Sequence, residues 1–206
     1  MKLLLLLLAF PIIGFGQNVN IPDVNFKKYL VGNKEINTNG DKEIQVSEAS
    51  AFNGAIFCNY LNISNLKGIE AFTTLTSLGC WNNQLTSLDV SKNTALTDLI
   101  CGSNQLTSLD VSKNTALTFL SCGSNQLTSL DVSKNTALTS LWCAENKLIS
   151  LDVSKNTALT DLSCYDNQLS SLDVSKNTLD WLYCDGNKFD CAALISKYGI
   201  ENLERE

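Results

Sequence analysis

The chain has 206 residues, 44% of them hydrophobic, and a formal net charge of −6 with no histidine. An acidic protein without a basic run is a poor match for nucleic acid or an anionic membrane. The missing histidine removes the commonest general base, which argues against catalysis.

At the N-terminus Lys2 precedes the apolar run Leu3 to Leu8, and Gly14-Phe15-Gly16 supplies small residues before Gln17. This is the layout of a secretory signal peptide over residues 1–16. The run falls short of the ~20 apolar residues that span a bilayer, so no membrane insertion is expected. No cysteine directly follows the cleavage site, so no lipid anchor is expected either.

Residues 17–55 lack any repeat and are expected to form an N-terminal cap. Asp23 can cap a helix from about Val24 to Val31, with Phe26, Tyr29 and Leu30 on one face and Gly32 as its stop. The following N-T-N-G-D-K-E-I-Q-V-S-E has the spacing of a calcium loop. Its candidate metal-ligating residues are Asn37, Asn39, Asp41, Glu43, Gln45 and Glu48. Two departures weaken the match. Asn37 replaces the usual Asp, and Lys42 stands where a Gly takes the sharp turn. Any calcium site should be weak, on the order of millimolar, and otherwise no cofactor is expected. The alternative is an Asn-rich turn leading into a short helix at Glu48 to Phe52.

From residue 56 to 189 the chain repeats. Cysteines mark the period at Cys80, Cys101, Cys122, Cys143 and Cys164, every 21 residues, with Cys184 one residue early. Such self-similarity signals a solenoid of about seven stacked coils. Within one period, Leu106-x-x-Leu109-x-Val111-x-x-Asn114 is followed by Leu117-x-x-Leu120-x-Cys122-x-x-Asn125. Alternation across L-D-V and L-S-C suits short strands with Leu, Val and Cys inward. The Asn after each can bond the turning backbone. A single coil buries too little to offset the entropy of ordering it, so coils must stack and both ends need caps. Residues 190–206 supply the second cap: Asp190 can start a helix through Cys191, Leu194, Ile195 and Tyr198 that ends at Gly199, before a mobile tail.

The pattern resembles a leucine-rich repeat, and the doubled form is similar to the nested 21-residue class called IRREKO in bacteria. The resemblance implies a curved β-rich solenoid of parallel strands, used for binding and seldom for catalysis. The run G-Q-N after the apolar segment is similar to signal peptides of Bacteroidetes-type bacteria, which implies a secreted product, periplasmic or extracellular.

Eight cysteines in a secreted protein usually suggest disulfides. Here the column Cys58 to Cys184 holds an inward slot, where parallel side chains point the same way and bridge poorly. Buried free thiols are favoured over disulfides or metal, with Cys191 the cysteine that best suits pairing, with Cys184. The ladder Asp89, Asp110, Asp131, Asp152 and Asp173 reads as a solvated charged face, each Asp with a Lys three residues on.

One half of the repeat, L-T-S-L-D-V-S-K-N-T-A, hardly changes. The other varies in three outward columns. Before the second Leu stand Ser77, Asp98, Phe119, Ser140, Asp161 and Trp181. Before Cys stand Gly79, Ile100, Ser121, Trp142, Ser163 and Tyr183, and after it Trp81, Gly102, Gly123, Ala144, Tyr165 and Asp185. Aromatic residues concentrated on one sheet face suggest recognition. The candidate ligand-binding residues are Trp81, Asp98, Ile100, Phe119, Trp142, Asp161, Tyr165, Trp181 and Tyr183, for a protein or glycan ligand. Phe119, Trp142 and Tyr165 should form a diagonal stripe with steps of roughly 8 Å. The alternative function is a structural or self-associating cell-surface protein, monomeric or weakly associating.

Overall fold

Each period of the sequence closes one coil, and coils stack because each offers the next the same Leu, Val and Cys positions. The computed structural model describes residues 16–200. Most of the expected signal peptide and the tail 201–206 therefore lie outside the described residues. Seven short strands pair in chain order into one parallel sheet. They are β1 (Ala55–Phe57), β2 (Ser77–Gly79), β3 (Asp98–Ile100), β4 (Phe119–Ser121), β5 (Ser140–Trp142), β6 (Asp161–Ser163) and β7 (Trp181–Tyr183). Register is strict: Leu78, Leu99, Leu120, Leu141, Leu162 and Leu182 stand side by side, all fully buried. This is the expected leucine-rich-repeat solenoid, β-rich with small helical caps.

Only one half of each repeat forms a strand, which corrects the expectation that both would. In the L-D-V half the chain must reverse, and polar side chains close the turn. The Asp110 carboxylate accepts the Ser112 N–H at 2.8 Å, Val111 O accepts the Asn114 N–H, and Asn114 O accepts the Leu117 N–H. The Asp ladder is thus a ladder of turn-forming caps. That backbone bond comes first among the causes holding each carboxyl below its usual range.

Two columns of buried asparagines satisfy the turning backbone. Asn125 donates to Cys101 O, Cys122 O and Gly123 O, while its Oδ1 accepts the Leu106 N–H at 2.9 Å. Asn104, Asn146 and Asn167 repeat this in their own coils. In the second column Asn135 donates to Val111 O and to Asn114 O of the coil below. Two residues after each column cysteine the backbone is left-handed, at Tyr60, Asn82, Ser103, Ser124, Glu145, Asp166 and Gly186, and the first coil adds Asn62. Such a φ disfavours L side chains, so the turn carries a small strain in nearly every coil.

Six cysteines, Cys58, Cys80, Cys101, Cys122, Cys143 and Cys164, are buried and free. Burial pushes the Cys58, Cys122 and Cys164 thiols up to about 12, and the rest well above their ordinary value. Exchange needs thiolate, so this column is chemically quiet. Cys184 leaves it to pair with Cys191, Cα atoms 5.5 Å apart.

That bridge joins the last coil to helix α3 (Cys191–Tyr198), capped by Asp190 and stopped by a left-handed Gly199. At the other end α1 spans Val24–Gly32 and α2 spans Val46–Ala51. Gly32 lies within the last turn of α1, not beyond it, and Asn33 is the cap. Helix α2 begins two residues before the expected start because Gln45 and Glu48 form a reciprocal capping box. Asp23 serves twice. One carboxylate oxygen caps α1 through Asn25 and Phe26, and the other accepts Ser64 and Asn65 of the first coil.

Two outcomes follow from this packing. Asn125→Ala should lower stability by about 1–3 kcal/mol or more in chemical denaturation, since it strands buried backbone groups. A thiol probe should find few reactive cysteines in the native protein, six on denaturation and eight after reduction. A mass showing three or more disulfides would contradict the quiet column.

Candidate functional site

Side chains on either side of the central strand leucine point away from the core, so the sheet carries the varied columns on its outer face. Trp81, Ser121, Gly123, Trp142, Ala144, Ser163, Tyr165, Trp181 and Tyr183 together line an open groove of about 360 Å³. Sequence positions spread over a hundred residues are thus brought to one place by coil stacking. Ile100 stands beside Ser121 in register, two strands before Trp142. Asp98 and Asp161 begin β3 and β6, with Thr97 Oγ1 2.6 Å and Thr160 Oγ1 2.7 Å from their carboxylates.

The aromatic residues do not form an evenly spaced stripe. They gather into clusters, some across neighbouring strands and one pair along β7. Phe119 meets Trp142 edge to face, centroids 5.0 Å apart, and Tyr165, Tyr183 and Trp181 form a second group at 6.4 and 4.3 Å. Edge-on contacts put the positive rim of one ring against the negative face of another, which is favourable beyond simple burial. Trp142 is the most exposed of these rings, at 36%.

A third cluster was missed in the sequence. Tyr60 packs edge to face on Trp81 at 4.6 Å, and both Tyr60 and Phe57 are well exposed. The signal was present, because Phe57 precedes Cys58 as Trp142 precedes Cys143. The irregular length of the first coil hid it. Two glycines of the varied columns also acquire a reason. A Cβ on Gly79 would stand 2.6 Å from the Phe57 ring, and one on Gly102 3.0 Å from Trp81. The small residues make room for rings from the preceding coil.

The Asn37–Glu48 loop is drawn together, but around itself. Asn37 Oδ1 accepts the Gly40 N–H, Asn39 Oδ1 that of Asp41, and Asp41 Oδ1 that of Glu43. Gln45 and Asn39 side chains donate to the other Asp41 oxygen. Glu43 is taken up by an ion pair with Lys27 at 2.7 Å. Glu48 accepts Thr38 and Asn39 N–H on one oxygen and Gln45 N–H on the other. Among the described residues no group of three or more His, Cys, Asp or Glu is placed to hold a metal ion. These side-chain oxygens already accept N–H donors of the loop itself. A depression of about 820 Å³ lies beside the loop.

No protein-family model matches the chain, and no curated protein matches its sequence. Solved structures do. The functional domain of InlJ from Listeria monocytogenes, which includes a cysteine ladder, is similar over 84% of this chain with 32% identity and a TM-score of 0.56. A leucine-rich-repeat protein of Leptospira interrogans is similar over 65%, with 25% identity and a TM-score of 0.58. The chain spans 48% and 36% of those two structures. Both neighbours are bacterial, and both accord with the leucine-rich-repeat solenoid seen here.

Burial alone would raise the Glu48 carboxyl, but the N–H groups of Gln45, Asn39 and Thr38 outweigh it and hold it below its usual 4.5. A lowered carboxyl stabilises the fold fully above its unfolded value, and that contribution is lost as pH falls through the lower folded value. Thermal melts should therefore show Glu48→Gln destabilising the cap near neutral pH, with the gap to the native protein closing in acid. Millimolar calcium should leave the native melt unchanged. A rise that Glu48→Gln abolishes would instead mark a calcium site.

Proposed function

We propose that this protein is exported and recognises a partner protein through the outward strand face, without catalysis. One observation carries the reading: the repeat varies where its core needs no particular residue, and that variation gathers Trp81, Trp142, Tyr165, Trp181 and Tyr183 around one groove. Exposed aromatic patches are costly in water unless a partner covers them, and Trp and Tyr anchor interfaces more than most residues. The bacterial leucine-rich-repeat neighbours support a binding role for the solenoid. Lys2 and the following leucine run support export. No helix among the described residues is long and apolar enough to cross a membrane.

The invariant half offers a contrast. Its Asp side chains are engaged in turns, and the Ser-Lys pairs repeat unchanged from coil to coil, which suits scaffold surface better than a site.

The test is affinity capture from host and bacterial extracts, run in parallel with a glycan array. Trp142→Ala should weaken the captured interaction by more than about 1 kcal/mol and leave the melting temperature nearly unchanged. Full binding by that variant, with loss on changing Asp131 or Lys134, would move the site to the invariant face.

A further inference from the structure

All three tryptophans of the protein, Trp81, Trp142 and Trp181, line the one groove. The residues that line it include no Lys or Arg. The three varied columns and the left-handed turn position carry Asp98, Asp161, Asp185, Glu145 and Asp166, and no Lys or Arg. The repeated lysines Lys92, Lys113, Lys134, Lys155 and Lys176 belong to the invariant half, while Lys147 and Lys188 stand two residues past the left-handed position, Lys147 donating to Gln126 Oε1.

One of these carboxylates is fixed to the groove itself. Glu145 accepts the Ser124 hydroxyl at 2.7 Å on one oxygen and the Tyr165 hydroxyl at 2.9 Å on the other, and both donors line the groove. The Ser124 bond first, then that of Tyr165, holds its carboxyl below the usual range, so it is anionic at neutral pH. Ring faces carry negative potential, and a cation over them is attracted further when a carboxylate stands by.

We propose that the groove takes a cationic side chain of an exposed polypeptide segment, seated among Trp142, Tyr165 and Glu145. This rests on the groove being the recognition surface and adds the chemistry of what enters it. Arginine suits the site better than lysine, because a planar guanidinium stacks on a ring while donating to a carboxylate. Acidic glycans and nucleic acid are repelled by the same charges. A neutral glycan could use the rings and donate hydroxyls to Glu145, but would leave its charge unpaired.

The groove tryptophans are their own reporter. Full-chain protein is titrated with a short arginine-rich peptide and with its citrulline counterpart, which keeps the shape and removes the charge, while tryptophan emission is followed. The arginine peptide should shift the emission and bind about tenfold more tightly than the citrulline peptide. Added salt should weaken it, and Glu145→Gln should weaken it several-fold while leaving the melting temperature in place. Equal binding of both peptides, lost in Trp142→Ala, would overturn the cationic proposal and leave the groove standing. A neutral oligosaccharide that shifts the emission where the arginine peptide does not would overturn it in favour of a glycan. Peptide binding unchanged in Trp142→Ala, or no response to either peptide, would overturn the cationic proposal, and the unchanged case would remove the groove as well.

Discussion

Each coil turns its backbone at corners closed off from water, where every amide and carbonyl still requires a partner. The asparagine columns meet that requirement. In the first column the carboxamide both donates and accepts, and its short stem reaches two coils at once: Asn125 bonds carbonyls in its own coil and the one before. No apolar residue could do this, and a carboxylate would bring charge into the core. The stack therefore depends less on leucine, which other aliphatic residues could replace, than on an amide recurring at a fixed offset.

Because the core is settled by those positions, the outward face is free. A strand of three residues turns two side chains away from the core, and although some touch across coils, as Phe119 and Trp142 do, the core requires no particular residue there. Rings and carboxylates can be placed there with little effect on stability. The glycines show that this freedom is local, since Gly79 and Gly102 stay small to accept rings from a neighbouring coil. The face is read across coils, not within one.

Much of the fold was legible in the sequence. The 21-residue beat, the inward cysteines, the caps begun by Asp23 and Asp190, and the Cys184–Cys191 pair all follow from spacing and side-chain chemistry. The L-D-V half was misread because alternation cannot distinguish a strand from a chain turning through Asp-closed bends. The stripe of rings was misread for a related reason. Backbone spacing places Cβ atoms, but long side chains lean, and Phe119 closes on Trp142 to 5.0 Å. Phe57 and Tyr60 were missed because an irregular first coil breaks the frame by which columns are counted. Glu145 drew no attention either, as its partners lie 21 and 20 residues away.

The near-identity of the invariant halves has a genetic side. Any internal coil presents its neighbours with almost the same floor and roof, so one could be lost or duplicated whole without disturbing the junctions. Unequal recombination between such copies would lengthen or shorten the sheet by one strand at a time, ~4.8 Å. It would change the distance between aromatic clusters without altering any of them. The spacing of these clusters could thus be selected separately from their chemistry.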